Sequence, residues 1–210
     1  MALAATHIRF ALEMREGLGV TDLRKYLSGS MYPDSRYATG VPREATHDNS
    51  MLSGDLLLLD DFRKGWAMHL ACDLAQAQAF KRLFPEELAR VGSDEEKWLF
   101  RTALKALQDI DDAGKFDARG YGRMMTWYET PNGETEEQLA FFYGLFTELY
   151  DNVDVKVDAE FDIWEQVGMP PASIREQRIL ASDLAQDPSA MERIGRLYDE
   201  TLACYRATLS

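Results

Sequence analysis

The chain has 210 residues, 36 acidic and 23 basic, for a formal net charge of −13. Hydrophobic residues make up 46% and charged residues 28%, ordinary globular usage that excludes a disordered chain. The acidic balance excludes a nonspecific nucleic-acid binder, which needs clustered Lys and Arg against phosphate. Cys72 and Cys204 lie far apart in apolar segments, so neither a disulfide scaffold nor a Cys-rich zinc module is expected. The first residues, Met-Ala-Leu-Ala-Ala-Thr-His, have no basic region and no long apolar stretch, which predicts no signal peptide. The longest apolar runs, Leu56 to Leu59 and Leu139 to Leu145 around Gly144, are far short of a membrane span. The expectation is a cytoplasmic, acidic, single domain over residues 1–210 with no nucleic-acid-binding surface.

Helical periodicity dominates. Thr6 is placed to cap a first helix in which His7, Phe10, Ala11, Met14 and Leu18 share a face, ended by Gly17 and Gly19. A second, short helix is expected from Thr21-Asp22 to about Tyr26. Residues 28–50, with Gly29, Pro33, Gly40 and Pro42, read as a long irregular loop of the kind that usually carries function. The strongest helix spans Asp60 to Phe84, and further helices fit about 86–91, 94–110, 119–128, 134–150, 173–184 and 188–208. Pro131-Asn132-Gly133 and Pro170-Pro171 break the pattern. Val153 to Val157 alternates like a strand but has nothing to pair with, so it is read as loop or helix. The fold class is all-α.

Candidate chemistry gathers in the first 80 residues. His69 and Asp73 are four apart on the strong helix, so they share a face and supply two ligands to one ion. Asp73 sits in an otherwise apolar segment, Trp66 to Phe80, where an unpaired carboxylate is expensive to bury. With 3 histidines and 36 acids, about 0.5 such pairs arise by chance, so the pair alone decides nothing. Taken singly, His7 reads as a core histidine, Pro33-Asp34 as a turn and His47-Asp48 as a solvated dipeptide. Their joint order carries more: His7, Asp34, His47, then His69 and Asp73 in Gly-Trp-Ala-Met-His-Leu-Ala-Cys-Asp.

That order resembles the zinc-dependent phospholipase C superfamily, which includes the single-strand zinc nucleases. The resemblance rests on Thr6-His7, Pro33-Asp34, His47, and Gly65 through His69 to Asp73, and covers roughly the first 80 residues. It implies a helical bundle with its metal site in residues 1–84 and supporting helices over 86–210. It further implies Asp34, His47, His69 and Asp73 around one Zn²⁺ ion, with His7 reaching a second ion that shares Asp73. No histidine follows His69, so the third metal of the family's pattern is not expected; one or two ions are. A second resemblance, to the HD-type phosphohydrolases, rests on His7, His47-Asp48 and Asp73, with the His-Asp pair in an unusually polar context.

The reading is a hydrolase of small, soluble phosphoesters that uses metal-activated water. Asp34 and Arg36 are the candidate catalytic residues. Three imidazoles and two carboxylates suit Zn²⁺, with Ni²⁺, Fe²⁺ and Mn²⁺ as alternatives. Tyr32, Arg36 and Arg43 flank the donors, and either Arg offers a bidentate grip on phosphate; Lys64 is a further phosphate candidate, and Asp48 and Asn49 are candidates to orient a ligand or water. The run Asp109 to Asp112 reads as a helix end, Trp127-Tyr128 and Phe141 to Tyr143 as core, and the cysteines as buried hydrophobes. The rival class is a non-catalytic helical protein with a structural metal site.

Overall fold

The computed structural model describes residues 3–151 and 157–208, and every regular element among them is helical. Most of the alternating segment Val153 to Val157 lies outside the described residues; its last residue opens a helix. In chain order the helices are α1 (Ala4–Met14), α2 (Leu23–Met31), α3 (Arg36–Thr39), α4 (Arg43–Thr46), α5 (Asp61–Leu83), α6 (Pro85–Arg90), α7 (Asp94–Ala113), α8 (Ala118–Gly122), α9 (Glu136–Asp151), α10 (Val157–Gln166), α11 (Pro171–Ala185), α12 (Pro188–Gly195) and α13 (Leu197–Thr208). Local chemistry sets many of the starts. Asp22 accepts from the Arg24 and Lys25 amides at α2, Asp60 from the Arg63 amide at α5, and Ser93 with Glu96 closes a capping box at α7. Pro85 and Pro171 occupy first turns, where a missing N–H costs nothing.

Helix α5 is the axis of the bundle. Fifteen of its residues are buried, from Asp61 to Phe80, and it packs on α1, α2 and α13. Its contact with α2 is unusually close. A Cβ on Gly65 would stand 1.9 Å from the Tyr26 carbonyl oxygen, and one on Gly29 would stand 2.0 Å from that of Phe62. Both positions therefore admit glycine alone, for reasons of space rather than of dihedral freedom.

Several expectations are corrected here. Residues 28–50 are not an irregular loop: α2 continues to Met31, and 3₁₀ turns at Tyr32–Ser35 and Asn49–Ser53 alternate with α3 and α4. Gly29 looks like a breaker in sequence, but it serves helix packing, and turns of four or five residues are too short to show a period. Thr6 does not cap α1. It lies inside the helix, fully buried, and donates its N–H to Asp109 and its hydroxyl to Asp112, both at 2.8 Å. The cap comes from α7, 103 residues away in sequence. The helix expected over 119–128 stops at Gly122, and that over 188–208 divides at Arg196. Among the described residues no helix is long and apolar enough to cross a membrane.

Replacing Gly65 by Ala should cost about 3 kcal/mol or more, because the new methyl meets backbone that has nowhere to move. At Gly54, by contrast, a Cβ would meet nothing within 4 Å, and φ is −93°. Its Ala variant should stay within about 0.5 kcal/mol of the parent in urea denaturation, so equal midpoints for the two variants would refute the close-approach argument.

Candidate metal centre

The fold brings all five sequence-predicted donors together. His7 comes from α1, Asp34 from the 3₁₀ turn after α2, His47 from the residue that ends α4, and His69 and Asp73 from α5. Asp34 Oδ1 lies 3.7 Å from His47 Nε2 and 3.9 Å from His69 Nε2. Asp73 Oδ2 lies 3.9 Å from His47 Nε2 and 4.0 Å from His69 Nε2, while its Oδ1 lies 3.9 Å from His7 Nε2. These separations are too long for hydrogen bonds. They are near the ~3.4 Å between neighbouring ligands that tetrahedral bonds of ~2.1 Å produce. The His7 and His69 rings stack at 3.7 Å, and His47 meets His69 edge-on at 5.4 Å.

Outer contacts decide which nitrogens face inward. His69 Nδ1 lies 2.8 Å from the Ser30 carbonyl oxygen, which only accepts, so this nitrogen carries the proton and Nε2 presents a lone pair. The Thr46 hydroxyl donates to the Arg43 carbonyl and lies 2.8 Å from His47 Nδ1, an arrangement that favours a donating Nδ1 and again a free Nε2. Trp66 on α5 donates its indole N–H to the Thr46 carbonyl at 2.7 Å and so anchors the turn that carries His47. Deeper in, both ring nitrogens of His7, Asp34 Oδ1 and His69 Nε2 are buried with no hydrogen-bond partner. Native interiors rarely leave such atoms unsatisfied, and His7, Asp34 and His69 each offer one ligand atom within 4.8 Å of the others, an arrangement that could hold a metal ion.

The electrostatics agree. Burial pushes the His7 and His47 pKa values down to about 3, and that of His69 well below its ordinary value, so all three are neutral near pH 7 and able to ligate. Burial, helped by the neighbouring Asp73, pushes the Asp34 carboxyl up to about 7. Burial also opposes ionisation of Asp73, but surrounding positive charge, Lys105 included, holds it well below the usual carboxylate range.

A cavity of about 650 Å³ adjoins the donors. His47 and Asp73 line it together with Arg43 and Asn49, as does a face of α7 that sequence reading does not single out, bearing Lys97, Trp98, Arg101 and Lys105. Those four recur at helical spacing in the sequence, a signal that is present but looks like an ordinary solvated stripe. Other candidates lie elsewhere. Arg36 sets its guanidinium over the Tyr37 ring and bonds that residue's hydroxyl, and it does not line the cavity. Lys64 is engaged by Asp61 and the Gly19 carbonyl, and Tyr32 is a buried neighbour of Trp66 that accepts from Asn132. Asp48 is exposed and caps its own turn through Ser50, so the aspartate of the HD-type His47-Asp48 pair is not among the gathered donors. Phe142 and Tyr143 are core, whereas Trp127 and Phe141 are partly exposed.

With this geometry in view, comparison with family models, curated proteins and solved structures finds no match.

The histidine shifts give a pH dependence for the metal-free protein. Unfolded His47 takes its proton near pH 6.5, whereas the folded residue resists until about 3, so folding is penalised as pH falls through that window. The stability advantage of the wild type over His47→Ala should therefore shrink steadily from pH 6.5 downward. Denaturant titrations of both proteins across this range test it, and an advantage that grows on acidification would overturn it.

Proposed function

We propose that this chain is a metal-dependent phosphoester hydrolase, a reduced relative of the zinc-dependent phospholipase C superfamily. The observation that carries the reading is the convergence of buried, unpartnered lone pairs from His7, Asp34 and His69 beside His47 and Asp73. Zn²⁺ is the ion that suits this mixture of imidazole and carboxylate, with Ni²⁺, Fe²⁺ and Mn²⁺ the alternatives. Asp34, His47, His69 and Asp73 would hold one ion. Asp73 turns its other oxygen toward His7, which supports a second ion shared through that carboxylate. When bound, a divalent ion supplies an activated water and neutralises charge on phosphoryl oxygens.

The chain's own residues do the rest. Ser30 and Thr46 hold two imidazoles in the ligating tautomer, and Arg43 and Lys105 line the cavity where an anion would approach. The cavity at His47 and Asp73 favours a working site over a purely structural one, since a structural site is closed by its ligands. Asp34, high in pKa and inward-facing, remains the candidate catalytic carboxylate; Arg36, held on Tyr37, contributes positive charge beside it.

Zinc-supplemented protein should hold one or two ions per chain. Asp73→Ala should remove most of the metal, and His7→Ala at most one ion, as elemental analysis after gel filtration would read. The loaded protein should turn over a generic chromogenic phosphodiester, lose that activity to chelator and lose it in His69→Ala. A sample that stays metal-free with unchanged thermal stability would refute the metal centre, and full metal without turnover of any phosphoester would leave a structural site.

A further inference from the structure

The cavity beside the donors holds more positive charge than one phosphate needs. Lys97, Arg101 and Lys105 follow one another at intervals of four on α7, so their side chains form a row along one face, spanning about 12 Å at 1.5 Å per residue. In a chain of net charge −13, such cations normally find carboxylates. Here, among the described residues, Arg43, Arg101 and Lys105 form no ion pair, and Arg101 Nε is buried without a hydrogen-bond partner. Lys97 has only Asp94 at 3.7 Å, an exposed carboxylate that also lines the cavity and leaves Arg101 free for an anion. Lys105 lies at the donor end, where its charge helps keep Asp73 ionised. Opposite the row, Leu74 of α5 is half exposed, and Trp98 shows its ring beside Lys97 and Arg101.

We propose that the substrate is an organic bis-anion: one phosphoester sits at the donors with Lys105 and Arg43, an apolar spacer lies against Leu74 and Trp98, and a second anionic group binds Arg101 and Lys97. The proposal rests on the phosphoester reading for the group at the donors, and adds the distal anion and the spacer. Two separated positive subsites joined by an apolar wall discriminate against a simple monoester, because the monoester leaves the partly buried Arg101 unpaired.

The test is calorimetric titration of zinc-loaded protein with hexane-1,6-bisphosphonate and with hexylphosphonate, whose C–P bonds cannot be hydrolysed. The bisphosphonate should bind at least about tenfold more tightly, the usual worth of one charged hydrogen bond. In the Lys97→Gln/Arg101→Gln double variant, the ratio should fall to within about twofold, while zinc content and helical circular dichroism stay at parental levels. Should the double variant misfold, Lys97→Gln alone, at a less buried position, should lower the ratio by about threefold. Equal binding of the two probes by the wild type, or an undiminished ratio in the variants, overturns the proposal. Turnover plays no part in this readout. A protein that hydrolyses phosphodiesters but shows no preference overturns the bis-anion proposal alone, and a preference without any turnover supports it while overturning the hydrolase reading.

Discussion

The approach of α2 to α5 across Gly29 and Gly65 is the constraint on which the centre depends. The two helices touch backbone to backbone, and this contact brings the Ser30 carbonyl within 2.8 Å of His69 Nδ1. The carbonyl fixes the imidazole tautomer, and α2 leads directly into the turn that carries Asp34. A wider spacing would lose the hydrogen bond and move Asp34 away from His69 together. Small residues at a helix crossing thus have a chemical consequence about one turn away, from Gly65 to His69, because rigid elements transmit position better than loops do.

Burying this many polar groups has a cost that the surroundings offset only in part. On the other side of α1, Asp109 accepts from the Thr6 amide and the Tyr150 hydroxyl, and Asp112 accepts from Thr6, Arg9 and Gln108. Burial still pushes Asp109 up to about 6 and Asp112 up to about 7. These carboxylates are tolerated because they satisfy the first turn of α1, which has no side-chain cap of its own, and so hold the neighbouring His7 against His69. At the donors the polar groups are not satisfied in this way. His7 has neither nitrogen bonded, and stacking on His69 does not replace two hydrogen bonds. Both clusters are polar and buried, but Asp109 and Asp112 accept several hydrogen bonds each, whereas His7 makes none.

How much of this is legible in the sequence follows from the range over which each signal acts. The long helices and their starts at Asp22, Asp60 and Ser93 are local events, written in caps and periodicity. Of the five candidate donors, His7, His69 and Asp73 are legible because such residues are sparse on apolar helix faces, and Asp34 and His47 only through their order with the other three. The short turns between Tyr32 and Ser53 are not, since four residues bury too little to impose a period. Asp109 and Asp112 look like a helix end, and α7 does end at Ala113, but their bonds to α1 span more than a hundred residues and leave no trace in local sequence. The cationic row on α7 is visible as spacing; its meaning is not, because exposure and missing partners are properties of the folded molecule alone.

The field around the centre must be separated from the charge of the whole chain. A net −13 repels anions at a distance, yet at physiological ionic strength that repulsion fades over about 8 Å. Inside the cavity Arg43, Lys97, Arg101 and Lys105 stand against two carboxylates, Asp73 and Asp94, and water is partly replaced by Leu70, Leu74 and Phe80. Fewer screening ions and a lower local dielectric let this local excess of cations count for more than the many distant carboxylates. A divalent ion held by the donors would reinforce the same sign at the inner end. On the bis-anion proposal, the net negative charge would add selectivity, since an extended polyanion would have to meet it while a small bis-anion would need only the cavity.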